Sequence, residues 1–290
     1  MNRRRADLAL AFNTVIWGST FVLVKAALTW ISPILFIALR FLVAGTALLA
    51  YFGLRRKIVW NPRTALAGAL AGVFLFGGYA LQTLGLRTTS APKSAFLTGL
   101  TSVMVPLLAS CVYRSRPRVS ELVGVAVATI GLALMTLEGT IGPINRGDLL
   151  TLCCTVSFAA HIVTLGHFAG RMGFELLSLA QTICAAVLGL TLFPLVEYPR
   201  IEWQPIVLWA IPLTGLLATA LAFTLQAWAQ RYVTSTRTAL IYMLEPVVAL
   251  ITSLVLIGEG LSGRAAAGAA LILGGVALVE VKPLNAREHH

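Results

Sequence analysis

Charge is what this sequence has least of: Asp, Glu, Lys and Arg make up 11% of its 290 residues, against 58% hydrophobic residues. Soluble domains carry about 25% charged residues, so a water-soluble fold of this length is excluded. Acids are the scarcer sign, with 11 Asp and Glu to 22 Lys and Arg. In a soluble protein that excess would suggest nucleic acid. Here the basic residues cluster between apolar runs, as membrane anchors do, and no nucleic-acid partner is expected. Cysteine is limited to Cys111, Cys153, Cys154 and Cys184, all inside apolar runs. Their spacing offers neither a disulfide framework nor a metal site, and they read as small packing residues. HExxH and GxSxG are missing, and no two carboxylates lie together deep in the apolar runs. Without a nucleophile, a metal set or paired acids, neither an enzyme nor a cofactor is expected.

Long apolar runs are what the chain has instead. Crossing a bilayer core takes about 17–25 residues, and ten such spans can be laid down: 7–29, 33–54, 64–86, 94–113, 119–138, 148–169, 174–196, 205–230, 236–257 and 263–281. The loops between them are short and often open on Pro or Gly (Pro33, Pro62, Pro117, Gly142-Pro143, Pro205). None can hold a soluble domain. Arg3-Arg4-Arg5 before the first run imitates a signal peptide, but no small-x-small cleavage site follows, and Asn13, Trp17 and Lys25 interrupt the run. The run reads as the first membrane helix.

Orientation follows from the positive residues. With the N-terminus cytoplasmic, one side carries Arg3, Arg4, Arg5, Arg55, Arg56, Lys57, Arg63, Arg114, Arg116, Arg118, Arg171, Arg231, Arg237, Lys282 and Arg287. The other carries Arg87, Lys93, Arg146, Arg200 and Arg264, a ratio of 15 to 5. Both termini are expected in the cytoplasm and the protein in the inner membrane.

The halves repeat. Displacing the first by 144 positions lays Gln82 on Gln226, Arg87 on Arg231, Lys93 on Arg237, Ala95 on Ala239, Gly124 on Gly268 and Gly131 on Gly275. A displacement of 141 lays Asp7 on Asp148, Leu35 on Leu176 and Arg40 on Gln181. Residues 1–141 and 142–290 thus form two five-span repeats. Five is odd, so the copies must run oppositely through the membrane, a plan that puts a substrate site near the midplane.

The costliest residue to bury is Glu245, which lies within an apolar run and needs about 2.5–3.5 kcal/mol to sit at the centre of a membrane helix. Thr238, Tyr242, Glu245, Ala249 and Thr252 step by four, three, four and three along one helical face. Ser94, Thr98, Thr101 and Val105 repeat that spacing in the first half. Tyr79 with Gln82 is matched by Phe223 with Gln226. Asn13, Trp17 and Thr20 are matched by Cys154, Phe158 and His161. Together they predict a cavity of amides, hydroxyls, rings, one imidazole and one carboxylate, suited to an amphipathic small molecule. Membrane Ser and Thr usually bond back to backbone, so only the set carries weight. Trp17 reads equally as a packed core residue. His161 and Glu245 are the candidates for proton coupling, each with a structural reading beside it. Lys25 is expected to snorkel, while Arg40 either snorkels or meets a carboxylate. Small residues four apart, in Gly68-Ala-Leu-Ala-Gly72, Gly124-Val-Ala-Val-Ala128 and Gly263-Arg-Ala-Ala-Ala267, allow close helix contact inside one chain. A monomer is expected, or a weak dimer through the fifth and tenth spans.

Trp17-Gly-Ser-Thr-Phe21 with Lys25, Pro33 and Arg40, then Ala95-Phe-Leu-Thr-Gly99 to Val105-Pro106, then Leu244-Glu-Pro246 with Gly258-Glu259, resemble EamA-type members of the drug/metabolite transporter superfamily. The resemblance spans nearly the whole chain. It implies a ten-helix inverted-repeat fold, a cavity lined by helices one, three, four, six, eight and nine, and export of a small metabolite such as an amino acid or a drug. Small multidrug relatives place a glutamate in the first helix, and none stands there in this chain. A nucleotide-sugar or lipid-linked substrate is the alternative within the fold. A membrane enzyme or an assembly subunit is the alternative outside transport.

Overall fold

The structure, a computed structural model, describes residues 2–89, 91–114, 117–137, 143–256 and 262–281. Arg116, Gly258, Glu259, Lys282, Arg287 and the side chain of Lys25 lie outside the described residues. What is described is helical: α1 (Asn2–Ala27), α2 (Pro33–Leu54), α3 (Pro62–Gly85), α4 (Ala91–Gly99), α5 (Thr101–Tyr113), α6 (Val119–Thr136), α7 (Arg146–Ala169), α8 (Phe174–Val196), α9 (Pro205–Gly215), a π-helical turn (Leu216–Leu221), α10 (Ala222–Ala229), α11 (Ser235–Tyr242), α12 (Glu245–Leu256) and α13 (Gly263–Val281). The one strand-like pairing among them is the bridge between Ile31 and Ile201.

Helix starts follow the local chemistry. Pro33, Pro62 and Pro205 open α2, α3 and α9, where a missing N–H costs nothing. Asn61 accepts from the N–H groups of Arg63 and Thr64, and Asn145 and Asp148 form a capping box on α7. Seven helical stretches among the described residues are long and apolar enough to cross a bilayer: α2, α3, Lys93–Tyr113, α6, α7, α8 and Pro205–Ala229. Gly263–Val279 is a shorter apolar helix. Leu8, Phe12, Leu49, Leu66, Leu70, Leu208 and many other large apolar side chains face outward, the reverse of a soluble protein and the surface expected of a multi-pass membrane protein.

Two of the expected continuous spans are interrupted and a third is irregular. The stretch 236–257 divides into α11 and α12 because Pro246 has no N–H for the Tyr242 carbonyl. The stretch 94–113 divides at Leu100, where the Thr101 and Ser102 hydroxyls take the Thr98 and Gly99 carbonyls at 2.6 and 2.9 Å. Positions 100 and 244 are repeat counterparts, so the two halves break at one place. The stretch 205–230 stays continuous but widens into the π turn, with the Thr219 hydroxyl donating to the Thr214 carbonyl at 3.0 Å.

The two halves interlock. α2 packs on α8, α3 on α7 and α8, α1 on α10, α11 and α12, and α4 and α5 on α7. At the centre of another contact α6 and α13 cross antiparallel through four glycines. A Cβ on Gly124 would lie 2.8 Å from the Gly275 carbonyl, and one on Gly131 would lie 2.6 Å from that of Gly268. The same holds in reverse, at 2.6 Å in each case. These backbones touch, which only glycine permits. Of the glycines expected in close contact, Gly124 is therefore used within one chain, as are Gly68 and Gly72 against α8. Gly263, at the start of α13, has open space where a Cβ would stand and makes no such contact among the described residues.

Gly131→Leu should thus overpack the α6–α13 contact and cost about 1–3 kcal/mol, seen as a lower Tm in detergent. Gly274→Leu, where an added Cβ meets nothing within 4 Å, is the control. Equal melting of the two variants would refute the packing role.

Candidate functional site

Arg40 is the pivot of the interior. Gly215 lets α9 approach the α2 backbone so closely that a Cβ there would lie 3.0 Å from the Arg40 carbonyl. The Arg40 side chain then turns inward, 5% exposed, across to the π turn of the other repeat. Its Nε donates to Thr219 Oγ1 at 2.6 Å, and one terminal nitrogen donates to the Ala218 carbonyl at 3.0 Å and the Tyr79 hydroxyl at 3.2 Å. The guanidinium carbon lies 5.0 Å from the Tyr79 ring centre. The π turn makes this possible: the Ala222 N–H, which would serve Ala218 in an α-helix, reaches Leu217 and Thr219 instead. Snorkelling of Arg40, one of the two readings of the sequence, is therefore excluded.

Two α1 side chains reach the same segment. Trp17 Nε1 donates to the Ala218 carbonyl at 2.8 Å, and Asn13 Nδ2 donates to the Ala222 carbonyl at 2.8 Å and to the Tyr242 hydroxyl at 3.3 Å. Around them stands a ring of aromatics. Trp17 lies 4.9 Å from Tyr242, edge to face, and 5.6 Å from Phe223, while Tyr79 meets Phe158 edge-on at 5.4 Å. Tyr79, Trp17, Tyr242 and Phe158 keep part of their surface accessible although they pack among the helices.

Glu245 begins α12, where the free N–H groups of a helix start favour a negative charge. It too is enclosed by protein yet partly accessible. Among the described residues no hydrogen bond or ion pair holds its carboxylate. Arg40 is close enough for its charge to act on Glu245, and Tyr79 feels both groups, but no ion pair joins them. Arg40, buried, and Glu245, part-buried, thus approach from opposite repeats without forming an ion pair.

The other expected site residues divide. Gln82 Nε2 donates to the Thr98 hydroxyl at 3.1 Å, linking α3 to α4 at the edge of the ring. Thr20 bonds back to the Ile16 carbonyl and Thr101 to that of Thr98, so both hydroxyls serve their own helices. Phe223 is buried beneath the ring. Gln226 donates to Gln230 at 3.2 Å, away from the accessible surface. His161 is likewise fully enclosed, 2.8 Å from Gln181 Oε1 and edge-on to Phe223 at 5.7 Å. It backs the wall and does not line it. Ala218, Thr219 and Gln181 were missed by sequence reading. Gln181 had a signal, as the counterpart of Arg40, whereas a backbone carbonyl in an apolar run has none.

The EamA-like transporter family matches the chain twice, at residues 4–137 and 145–281. A protein of Archaeoglobus fulgidus described as an uncharacterized transporter is 32% identical over 282 residues, 97% of this chain and 88% of that one. A probable amino-acid metabolite efflux pump of Salmonella typhimurium is 28% identical over 302 residues, 95% of this chain and 94% of its own. A solved crystal structure superposes with a TM-score of 0.83, covering 96% of this chain and 97% of that one at 21% identity, and so shares the fold.

Removing Arg40 leaves the Ala218 carbonyl with Trp17 and leaves Thr219 donating to the Thr214 carbonyl, so the only change is one incoming hydrogen bond lost at each of the Thr219 and Tyr79 hydroxyls. Arg40→Met is therefore expected to change unfolding free energy by no more than about 1 kcal/mol. A loss of about 3 kcal/mol or more in thermal unfolding would make Arg40 a structural strut.

Proposed function

The chain belongs to the EamA-like transporter family, and from that premise we propose that it is a secondary transporter exporting a small amphipathic metabolite, an amino acid or a drug-like compound, through the space between its halves. Residues 1–141 and 142–290 act as inverted five-helix repeats, ten spans in all, with both termini cytoplasmic and the protein in the inner membrane. The antiparallel glycine contact of α6 with α13 and the matching breaks at Leu100 and Leu244 support the inverted arrangement. The ratio of basic residues supports the orientation.

The observation that carries the reading is the separated pair Arg40 and Glu245 within the aromatic ring. A substrate anion fits Arg40, a substrate cation or a carried proton fits Glu245, and Trp17, Tyr79, Phe158 and Tyr242 suit an apolar or aromatic part. Gln82 and Thr98 add hydrogen bonds at the rim, while Asn13, fully buried, holds the Tyr242 hydroxyl from behind. A molecule with both charges and an apolar side chain satisfies all of them, consistent with the name of the Salmonella relative. A single cation in the wall suits a nucleotide sugar less well, because a diphosphate asks for several. Alternating exposure comes from rocking one repeat against the other, by a monomer or a weakly associated dimer.

Uptake of a mixed panel of radiolabelled amino acids and small aromatic compounds into proteoliposomes, with and without a pH gradient, tests this. The native protein should carry at least one zwitterionic member of the panel, and Arg40→Gln should slow it by about tenfold or more. Glu245→Gln should fold normally and lose the dependence on the gradient. A gradient effect that survives Glu245→Gln excludes proton carriage there, and absence of flux for every compound refutes the substrate class.

A further inference from the structure

Two ion pairs outside the site are counterparts of each other. Asp7 on α1 takes both Nε and a terminal nitrogen of Arg237 on α11, at 2.7 and 2.9 Å. Asp148 on α7 takes Nζ of Lys93 on α4 at 2.6 Å. Asp7 and Asp148 coincide under the displacement of 141, and Lys93 and Arg237 under that of 144. Each pair joins one repeat to the other, and each is largely withdrawn from solvent, with side-chain exposures of 7% for Arg237 and 5% for Asp148. They lie at opposite ends of the bundle. Asp7 and Arg237 stand at the starts of α1 and α11, beside the α5 and α7 C-terminal ends. Lys93 and Asp148 stand at the starts of α4 and α7, beside the α3 C-terminal end.

Both bases ride on short half-helices. α4 and α11 have nine and eight residues, and each is set off from the helix that follows by the break at Leu100 or Met243-Leu244. Each also ends at the site: Thr98 of α4 meets Gln82, and Tyr242 of α11 meets Asn13 and Trp17. A half-helix that is hinged at one end, latched to the opposite repeat at the other and carrying a wall residue beside the hinge is a gate.

We propose that Asp7–Arg237 and Lys93–Asp148 are the two latches of the transport path, each pinning one hinged half-helix shut, and that the cycle opens them one at a time. The proposal rests on the transport reading and adds the residues that seal each end. Breaking one pair frees α11 or α4 to swing, while the other pair keeps the far end closed and prevents a continuous leak. The α6–α13 glycine contact has no hinge and stays as the fixed seam. Asp148 also accepts from Thr89 Oγ1 and, in the α7 capping box, from the Asn145 N–H, whereas Lys93 also donates to the loop carbonyl of Pro143. The change at this end is therefore made at Lys93, to spare the α7 cap.

Hydrogen–deuterium exchange of the whole protein in lipid vesicles tests this without needing a substrate. Arg237→Gln should speed exchange in residues 235–242 and the start of α1 by about fivefold or more, and leave 93–99 as protected as before or more so. Lys93→Gln should give the reverse pattern. Asp7→Asn cuts the first pair from the α1 side and must reproduce the effect of Arg237→Gln. Faster exchange at both ends alike, or at neither, overturns the latches. Flux measured in the same variants keeps the two readings apart. Flux in the native protein with no one-sided pattern in the variants sinks the gates alone, whereas the one-sided pattern in the variants, with no solute carried by the native protein, sinks the transport reading and leaves the two latches as independent closures.

Discussion

A backbone carbonyl turned out of its helix inside hydrocarbon has no water to receive it, and the group left unpaired costs several kcal/mol. The interior of this protein is arranged around that constraint. The π turn sets the Ala218 carbonyl aside, and Arg40 and Trp17 both come to it. The Ala222 carbonyl is met by Asn13, and the Thr98 carbonyl at the α4–α5 break by the Thr101 hydroxyl. Each of these donors is a polar side chain that the membrane would otherwise reject. Helix irregularity and polar side chain thus stabilise each other, and the polar cavity wall grows out of that exchange.

Glu245 stands apart from this mutual satisfaction: Arg40 is held by Thr219, Ala218 and Tyr79, whereas Glu245 has no hydrogen-bonding partner among the described residues. An ion pair between them would close the site with its own charges. Kept apart, they leave a field across an enclosed space, where low dielectric strengthens attraction for a ligand of matching charges.

The internal repeat divides the structure into parts of different stiffness. The glycine crossing of α6 and α13 brings backbone onto backbone, a contact that cannot shift gradually without losing its packing. The half-helices α4 and α11 carry polar contacts at each end, and α11 also packs Ala239, Leu240 and Ile241 into the apolar core. The polar end contacts are the ones that can exchange partners, and they lie between the ring of aromatics and the two ends of the bundle.

The sequence by itself determined the class, the helices and the repeat. The α2 and α8 limits, Pro33–Leu54 and Phe174–Val196, coincide with those read from apolar runs, because proline starts and hydrophobic length are local properties. Tyr79, Trp17, Tyr242 and Glu245 were legible as a polar and aromatic set because their spacing follows the helical period. Tertiary structure alone decided the rest. Which way Arg40 turned depended on a carbonyl 178 residues away, exposed by a π turn that no residue pattern announces. His161 lies at the same depth as the wall yet faces Gln181 behind it, since depth along a helix says nothing about which neighbour lies across. Asp7 and Asp148, Lys93 and Arg237 were already matched as repeats. Only folding showed that each acid takes the base of the other half, because pairing is a matter of distance in space and the alignment records only likeness.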